Sequence, residues 1–225
     1  MLHADDVARY LNEHPDFFDQ HPELLSLLNV PHPQSGGAIS LVERQSLLLR
    51  ERIRSLESRT TELLRNGEEN DIIADRMVHW ARALLGERDA ARLPGVAVEE
   101  LKRTFTVPHG AVRLWDVAPE YAALPAAAPV GSDAMRLAHS MQAPFCGSNV
   151  GFEAATWMSD DESAVQSVAM LPLRIGGATE AFGLLVLGSP DKDRFQITMG
   201  TAFLARIAEL ASAALSRLRP AGPPQ

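Results

Sequence analysis

Cysteine is almost absent: Cys146 is the only one, so no internal disulfide can close and no thiolate zinc site can form. Long apolar runs are missing too. The richest, Phe182 to Leu187, has the length of a strand and falls far short of the roughly 18 residues a membrane span needs. Positive charge is not in excess; a formal net charge of −8 disfavours a nucleic-acid surface, which requires clustered Lys and Arg. Arg50, Arg52, Arg54 and Arg59 are interleaved with Glu43, Glu51, Glu57 and Glu62 and read as a solvated helix flank. The first ten residues carry Asp5 and Asp6 and lack the apolar core and cleavage site of a signal peptide. These absences lead us to expect a cytoplasmic protein in a reducing compartment.

Phosphate-loop chemistry is excluded by the same kind of reading, because Gly176-Gly177-Ala178-Thr179 has no lysine and marks a turn. The seven histidines are dispersed, and His14, His21 and His32 directly precede prolines, as at helix entries. No metal and no cofactor are expected.

What is present is a folded composition, 46% hydrophobic and 22% charged. From Leu41 to Leu85 there is no proline and one interior glycine, Gly67. Val42, Leu49, Leu56 and Leu63 fall seven apart, with Ile53 and Thr60 three residues before Leu56 and Leu63. That beat predicts a helix burying a narrow stripe against a second helix, hence a homodimer along this seam. Ser40 with Glu43 fits a capping box, Gly86 a stop, and Ala74, Met77, Ala81 and Leu84 carry the register past Gly67.

Residues 1–34 read as a short helical segment. His14-Pro15-Asp16 and His21-Pro22-Glu23 suit helix starts, and Phe17, Phe18, Leu24 and Leu25 are apolar enough to form a mini-core or dock a protein partner. Pro31, Pro33, Gly36 and Gly37 mark a break. Residues 38–69 form the pairing part of the long helix, 70–218 a compact domain, and 219–225 a disordered tail. Within the domain the pattern predicts a helix over 96–105 and a strand over 111–117. It then predicts an Ala/Pro loop over 119–129, a helix from Ser132 to His139, two β-rich runs (166–175 and 182–187) and a terminal helix over 195–218. The fold class is α+β, an antiparallel sheet flanked by helices.

Met170-Leu171-Pro172-Leu173, Gly176-Gly177, Phe182-Gly183-Leu184-Leu185-Val186-Leu187-Gly188-Ser189, Asp193 with Phe195, and Ala202-Phe203-Leu204-Ala205 resemble the C-terminal half of a GAF domain. Val7-Ala8-Arg9-Tyr10-Leu11, His14-Pro15-Asp16-Phe17-Phe18, Leu41-Val42-Glu43-Arg44-Gln45 and Phe145-Cys146-Gly147 resemble the bacterial domain-of-unknown-function family numbered 484. The resemblance covers nearly the whole chain and implies a helical front, a coiled coil and a GAF-like domain. The family has no settled biochemical role.

If the domain is GAF-like, the segment from Phe145 to Asp161 crosses one sheet face and covers a cavity. Trp115, Phe145, Phe152, Trp157, Met158 and Met170 would supply apolar walls, with Arg113, Arg174 and Ser148 as polar anchors for an unknown small molecule. The competing assignment is that these residues simply fill the core. Arg113 and Trp115 alternate onto one strand face, which hints at an anionic ligand, unless Arg113 snorkels to solvent. Cys146 is either a reactive thiol facing that cavity or a small buried hydrophobe. No Lys or Arg within four residues would activate it. One thiol excludes the two-cysteine cycle of GAF-fold methionine sulfoxide reductases. The Asn149, Phe152 and Glu153 echo of a cyclic-nucleotide signature lacks its lysine and aspartate. A non-enzymatic sensory or regulatory module is therefore the expectation, with a ligand-free adaptor as the alternative.

Overall fold

A computed structural model describes residues 3–27, 41–158, 165–176, 178–196 and 201–220, with side chains at 25–27 and 41–44 excepted. The chain divides into two compact units, residues 1–62 and 63–225.

In the first unit, α1 (Ala4–Glu13), α2 (Phe17–Gln20) and α3 (Pro22–Leu27) are separated by short turns. Pro22 opens α3 as the sequence suggests, whereas Pro15 sits in the turn before Asp16, the residue preceding α2. Asp6 accepts from the His3 amide at 3.1 Å, closing the start of α1. Tyr10 stacks on His14 at 4.4 Å and meets Phe17 edge-on at 5.9 Å, and Phe17 meets Phe18 at 5.4 Å. The break at Pro31, Pro33, Gly36 and Gly37 and the Ser40 cap lie outside the described residues.

Helix α4 runs unbroken from Leu41 to Gly86, through Gly67. Leu49, Ile53, Leu56 and Leu63, half of the predicted seam and more, are 53–70% exposed in the single chain. The Thr60 hydroxyl bonds back to the Leu56 carbonyl at 2.9 Å. The Val42 side chain lies outside the described residues.

The last turns of α4 have a different environment, inside the second unit. Trp80 is fully buried and Leu84 nearly so, and the Trp80 indole N–H donates to the Ala97 carbonyl at 3.0 Å. Ala97 belongs to α5 (Leu93–Phe105), which starts three residues before the sequence pattern suggests because Pro94 is accepted in its first turn. Strands β1 (His109–Leu114), β2 (Phe145–Ser148), β3 (Ser167–Leu173) and β4 (Gly183–Ser189) form one antiparallel sheet in the order β1-β4-β3-β2. Helices α6 (Ser132–Ser140), α7 (Glu153–Thr156) and α8 (Ala202–Leu215) belong to the same unit, and a 3-10 turn over Ser216–Leu218 follows α8. The expected α+β class is present, an antiparallel sheet flanked by helices and preceded by the long helix and three short ones.

Both sheet faces are covered. Ala169, Leu171, Leu173, Leu185 and Leu187 point towards α5, α8 and Trp80, while Met170, Leu184 and Val186 point towards α6 and α7. Every residue of β3 and β4 is buried. This is why both strands read as continuous apolar runs with no polar alternation.

Several boundaries differ from the sequence pattern for identifiable reasons. The hairpin does not close on the glycine pair alone: residues 174–182 link β3 to β4, with Gly176 at φ +55° and Gly177 outside the described residues. Gly131, not Ser132, precedes α6, and its amide donates to Glu153 Oε1 at 2.8 Å. The terminal helix starts at Ala202, and residues 197–200 lie outside the described set. Arg219, placed by sequence in the tail, binds Asp116 and covers the Phe182 ring at 5.4 Å; residues 221–225 lie outside the description.

Candidate functional site

Residues 145–148 were expected in an irregular segment over a sheet face; they are edge strand β2, paired with β3. Only the chain after Ser148 crosses the face. Asn149 turns it there: its Oδ1 accepts from the Gly151 and Phe152 amides (3.1 and 3.3 Å) and its Nδ2 donates to the Val165 carbonyl at 2.9 Å. Residues 159–161 of that segment lie outside the described residues.

Strand alternation divides the candidates. Phe145 and Met170 lie on the α6–α7 side with Trp115, Phe152, Trp157 and Met158, where Phe145 meets Phe152 edge-on at 5.6 Å. These side chains fill one another's space. A Cβ at Gly188 would come within 2.9 Å of the Met158 terminal methyl, so Met158 occupies the room the glycine leaves. Trp115 donates its indole N–H to the Ala181 carbonyl at 2.8 Å, and Ser148 is exposed.

Cys146 points to the opposite side, into the α5–α8 core, 4% exposed. Burial pushes its thiol above the usual range. Below the thiol's ordinary pKa of about 8.5 both folded and unfolded chains keep the proton; above it the unfolded chain ionises first. Stability is therefore expected to fall as pH rises from that value towards the native one. Urea titrations at increasing pH check this, because Cys146→Ser should remove that part of the slope. A native thiol reacting with an alkylating reagent as fast as free cysteine would contradict the placement.

Arg174 also leaves the proposed cavity. Its guanidinium donates to the Ala138 and His139 carbonyls at 2.9 and 3.0 Å and to the Thr179 carbonyl at 3.2 Å. It thus caps the C-terminal end of α6 and binds that end to the β3–β4 connection. Desolvation pulls its pKa below the usual arginine range. The His139 Nδ1 accepts from the Ala181 amide at 3.0 Å, clamping the same junction.

A separate opening lies along the outer edge of β1. This cleft of about 720 Å³ is bounded by Pro94 and Val98 of α5, by Leu124 and Ala126 beside a short turn, and by Arg113 and Trp157. Of the ten candidates, Arg113 and Trp157 alone line it, with the guanidinium over the indole at 5.7 Å. The walls were missed because Pro94 lies before the helix predicted over 96–105 and the 119–129 stretch reads as an Ala/Pro loop. Their one sequence signal is that Ala/Pro stretch directly after a strand with no second strand to pair it.

A family model described as "Protein of unknown function, DUF484" matches residues 1–219. The chain belongs to the DUF484 family. Within curated proteins, the "Uncharacterized protein YigA" of Salmonella typhimurium (strain LT2) is 33% identical over 79 residues, covering 35% of this chain and 33% of the relative. The chain thus spans about a third of that relative's length. Solved structures similar to this DUF484 chain include the GAF domain from an Acinetobacter phosphoenolpyruvate-protein phosphotransferase. It is 12% identical, with 64% of this chain and 92% of that one covered and a TM-score of 0.46. Another is a free methionine-R-sulfoxide reductase from Neisseria meningitidis in complex with its substrate, 14% identical, covering 64% and 88%, with a TM-score of 0.45. Among the described residues of this DUF484 member, no helix is long and apolar enough to cross a membrane.

Proposed function

We propose that this DUF484 protein is a non-enzymatic regulatory module of the bacterial cytoplasm that acts as a homodimer. Its second unit binds a small molecule, and α4 carries the response. One observation supports the reading above others: a single helix holds both a fully buried anchor, Trp80, and an exposed apolar stripe at Leu49, Ile53, Leu56 and Leu63. An exposed stripe at heptad spacing is kept dry by pairing with the same stripe on a second copy. The aromatic cluster of α1–α2, with Val7 and Tyr10 half exposed, gives the first unit a surface for a protein partner. Signalling requires that ligand affinity differ between two arrangements of the paired helices.

A ligand-free adaptor is the second reading, favoured by the mutual packing of Phe145, Phe152, Met158 and Met170 where a cavity was expected. Native mass spectrometry of freshly purified protein separates the two: a co-purified small molecule supports the sensor, a clean apo mass the adaptor. For the seam, sedimentation should give a dimer for the wild type and a monomer for Leu49→Asp plus Leu56→Asp. Both positions are exposed in the single chain, so circular dichroism should keep the signal of the second unit. A dimer surviving the double substitution would reject the register.

A further inference from the structure

We infer that the cleft along β1 binds a small carboxylate carrying an amide, of the N-acyl amino acid or dipeptide kind. Arg113 takes the carboxylate and the outward carbonyl of Val112 takes the amide N–H. The inference rests on the ligand-binding reading above and assigns it a place and a chemistry.

The phase of the β1–β4 ladder is set by the Trp115 amide, which donates to the Phe182 carbonyl at 3.0 Å. In the same register, Ala111 and Arg113 exchange bonds with Val186 and Leu184, and antiparallel alternation turns the peptide groups of Gly110 and Val112 to the outer side. Among the described residues the Val112 carbonyl meets only the Arg113 guanidinium there, at a long 3.4 Å. Gly110 and Val112 line the cleft. The outward C=O of Val112 can accept the ligand's amide N–H and its outward N–H can donate to a carboxylate oxygen, as they would to the facing residue of a neighbouring strand.

Charge selects the other end of the ligand. The acids and bases on the wall are paired: Arg92 with Glu87 at 3.6 Å, Glu99 with Lys102 at 3.0 Å, and Glu100 with Arg103. Among the described residues Arg113 has no carboxylate partner, and Trp157 holds its guanidinium from one side. A planar fork so held suits a bidentate carboxylate. Pro94, Val98, Leu124 and Ala126 offer an apolar seat for a side chain. The turn at Pro125–Ala127 packs against β1 and shares the wall. That turn obstructs a strand passing along the edge, and the volume of about 720 Å³ is that of a small-ligand site.

N-acetyl-leucine, titrated into the full-length chain, is the probe. Binding heat should appear, with amide resonances of Gly110 and Val112 moving in the heteronuclear NMR spectrum. N-acetyl-leucinamide, which lacks the carboxylate, should bind roughly tenfold more weakly or worse. Arg113→Gln should weaken N-acetyl-leucine to a similar extent at an unchanged melting temperature. Should that variant melt early, the leucinamide comparison on the wild type decides. The inference is overturned by absence of heat and shift at millimolar probe, by equal binding of acid and amide, or by tighter binding of a long peptide with the same C-terminus. Sedimentation of the same samples keeps the two ideas apart. A dimer without binding sinks this assignment alone, while a monomer that binds sinks the dimeric module alone.

Discussion

Trp80→Ala is expected to cost the second unit about 3–5 kcal/mol, read as a lower urea midpoint at unchanged slope. The indole is fully buried where the last turns of α4 meet α5, and its N–H is satisfied by the Ala97 carbonyl. Truncation removes the ring's packing and leaves a cavity between two helices that cannot both collapse into it. Against a typical domain stability of 5–15 kcal/mol this is a large share. Trp80→Phe separates the causes. It retains most of the ring, so its cost should be the smaller one of a lost hydrogen bond plus a residual void, on the order of 1–2 kcal/mol. Equal losses for the two variants would mean that the hydrogen bond, not the packing, dominates.

The second large effect is expected at Gly183, the glycine that opens β4. A Cβ there would lie 2.6 Å from Leu114 Cδ2 and 2.8 Å from the Arg113 carbonyl oxygen, with Leu173 Cδ1 at 3.2 Å. A side chain can swing aside; the backbone carbonyl of a paired strand cannot. Gly183→Val should therefore destabilise by about 3 kcal/mol or more, and thermal unfolding measures it. Gly67→Ala is its counterpart: nothing lies within 4 Å of a Cβ added at Gly67 in mid-helix, so the change should leave stability equal or raise it by about 1 kcal/mol. A stabilised Gly183→Val protein would contradict the close approach of β1 to β4.

These two positions also show what the sequence made legible. Gly183 stands in the strand motif that carried the GAF resemblance, and close backbone approach is its physical reason. The long helix was legible because 46 residues without proline leave few alternatives. Helices α5, α6 and α8 showed their apolar spacing, with ends displaced where a proline or glycine could serve as either start or boundary. Strand β2 was not legible. Phe145-Cys146-Gly147-Ser148 is too short to display alternation, and a glycine in the run suggests a loop. Missing it placed Cys146 beside Phe145 in one imagined cavity, although neighbours on a strand face opposite ways. Arg174 was misjudged for another reason: two of its three carbonyl partners lie 35 and 36 residues away, which no local pattern records. Trp80 was passed over because the heptad frame puts it beside the seam; the helix turns that flank, too, into its own core.

The two inner strands, wet on neither side, bear on how the molecule assembles. Strands β3 and β4 are joined by residues 174–182, whereas β1 must wait for the whole of 115–182 to close before it meets β4. Loop-closure entropy therefore favours the β3–β4 hairpin as the first pairing. Such a ribbon, greasy on both faces, is an invitation to aggregate until helices arrive on each side. Synthesis from the N-terminus mitigates the hazard, since α5, β1 and α6 leave the ribosome earlier, and α8, made after β4, then seals the face that α5 leaves open.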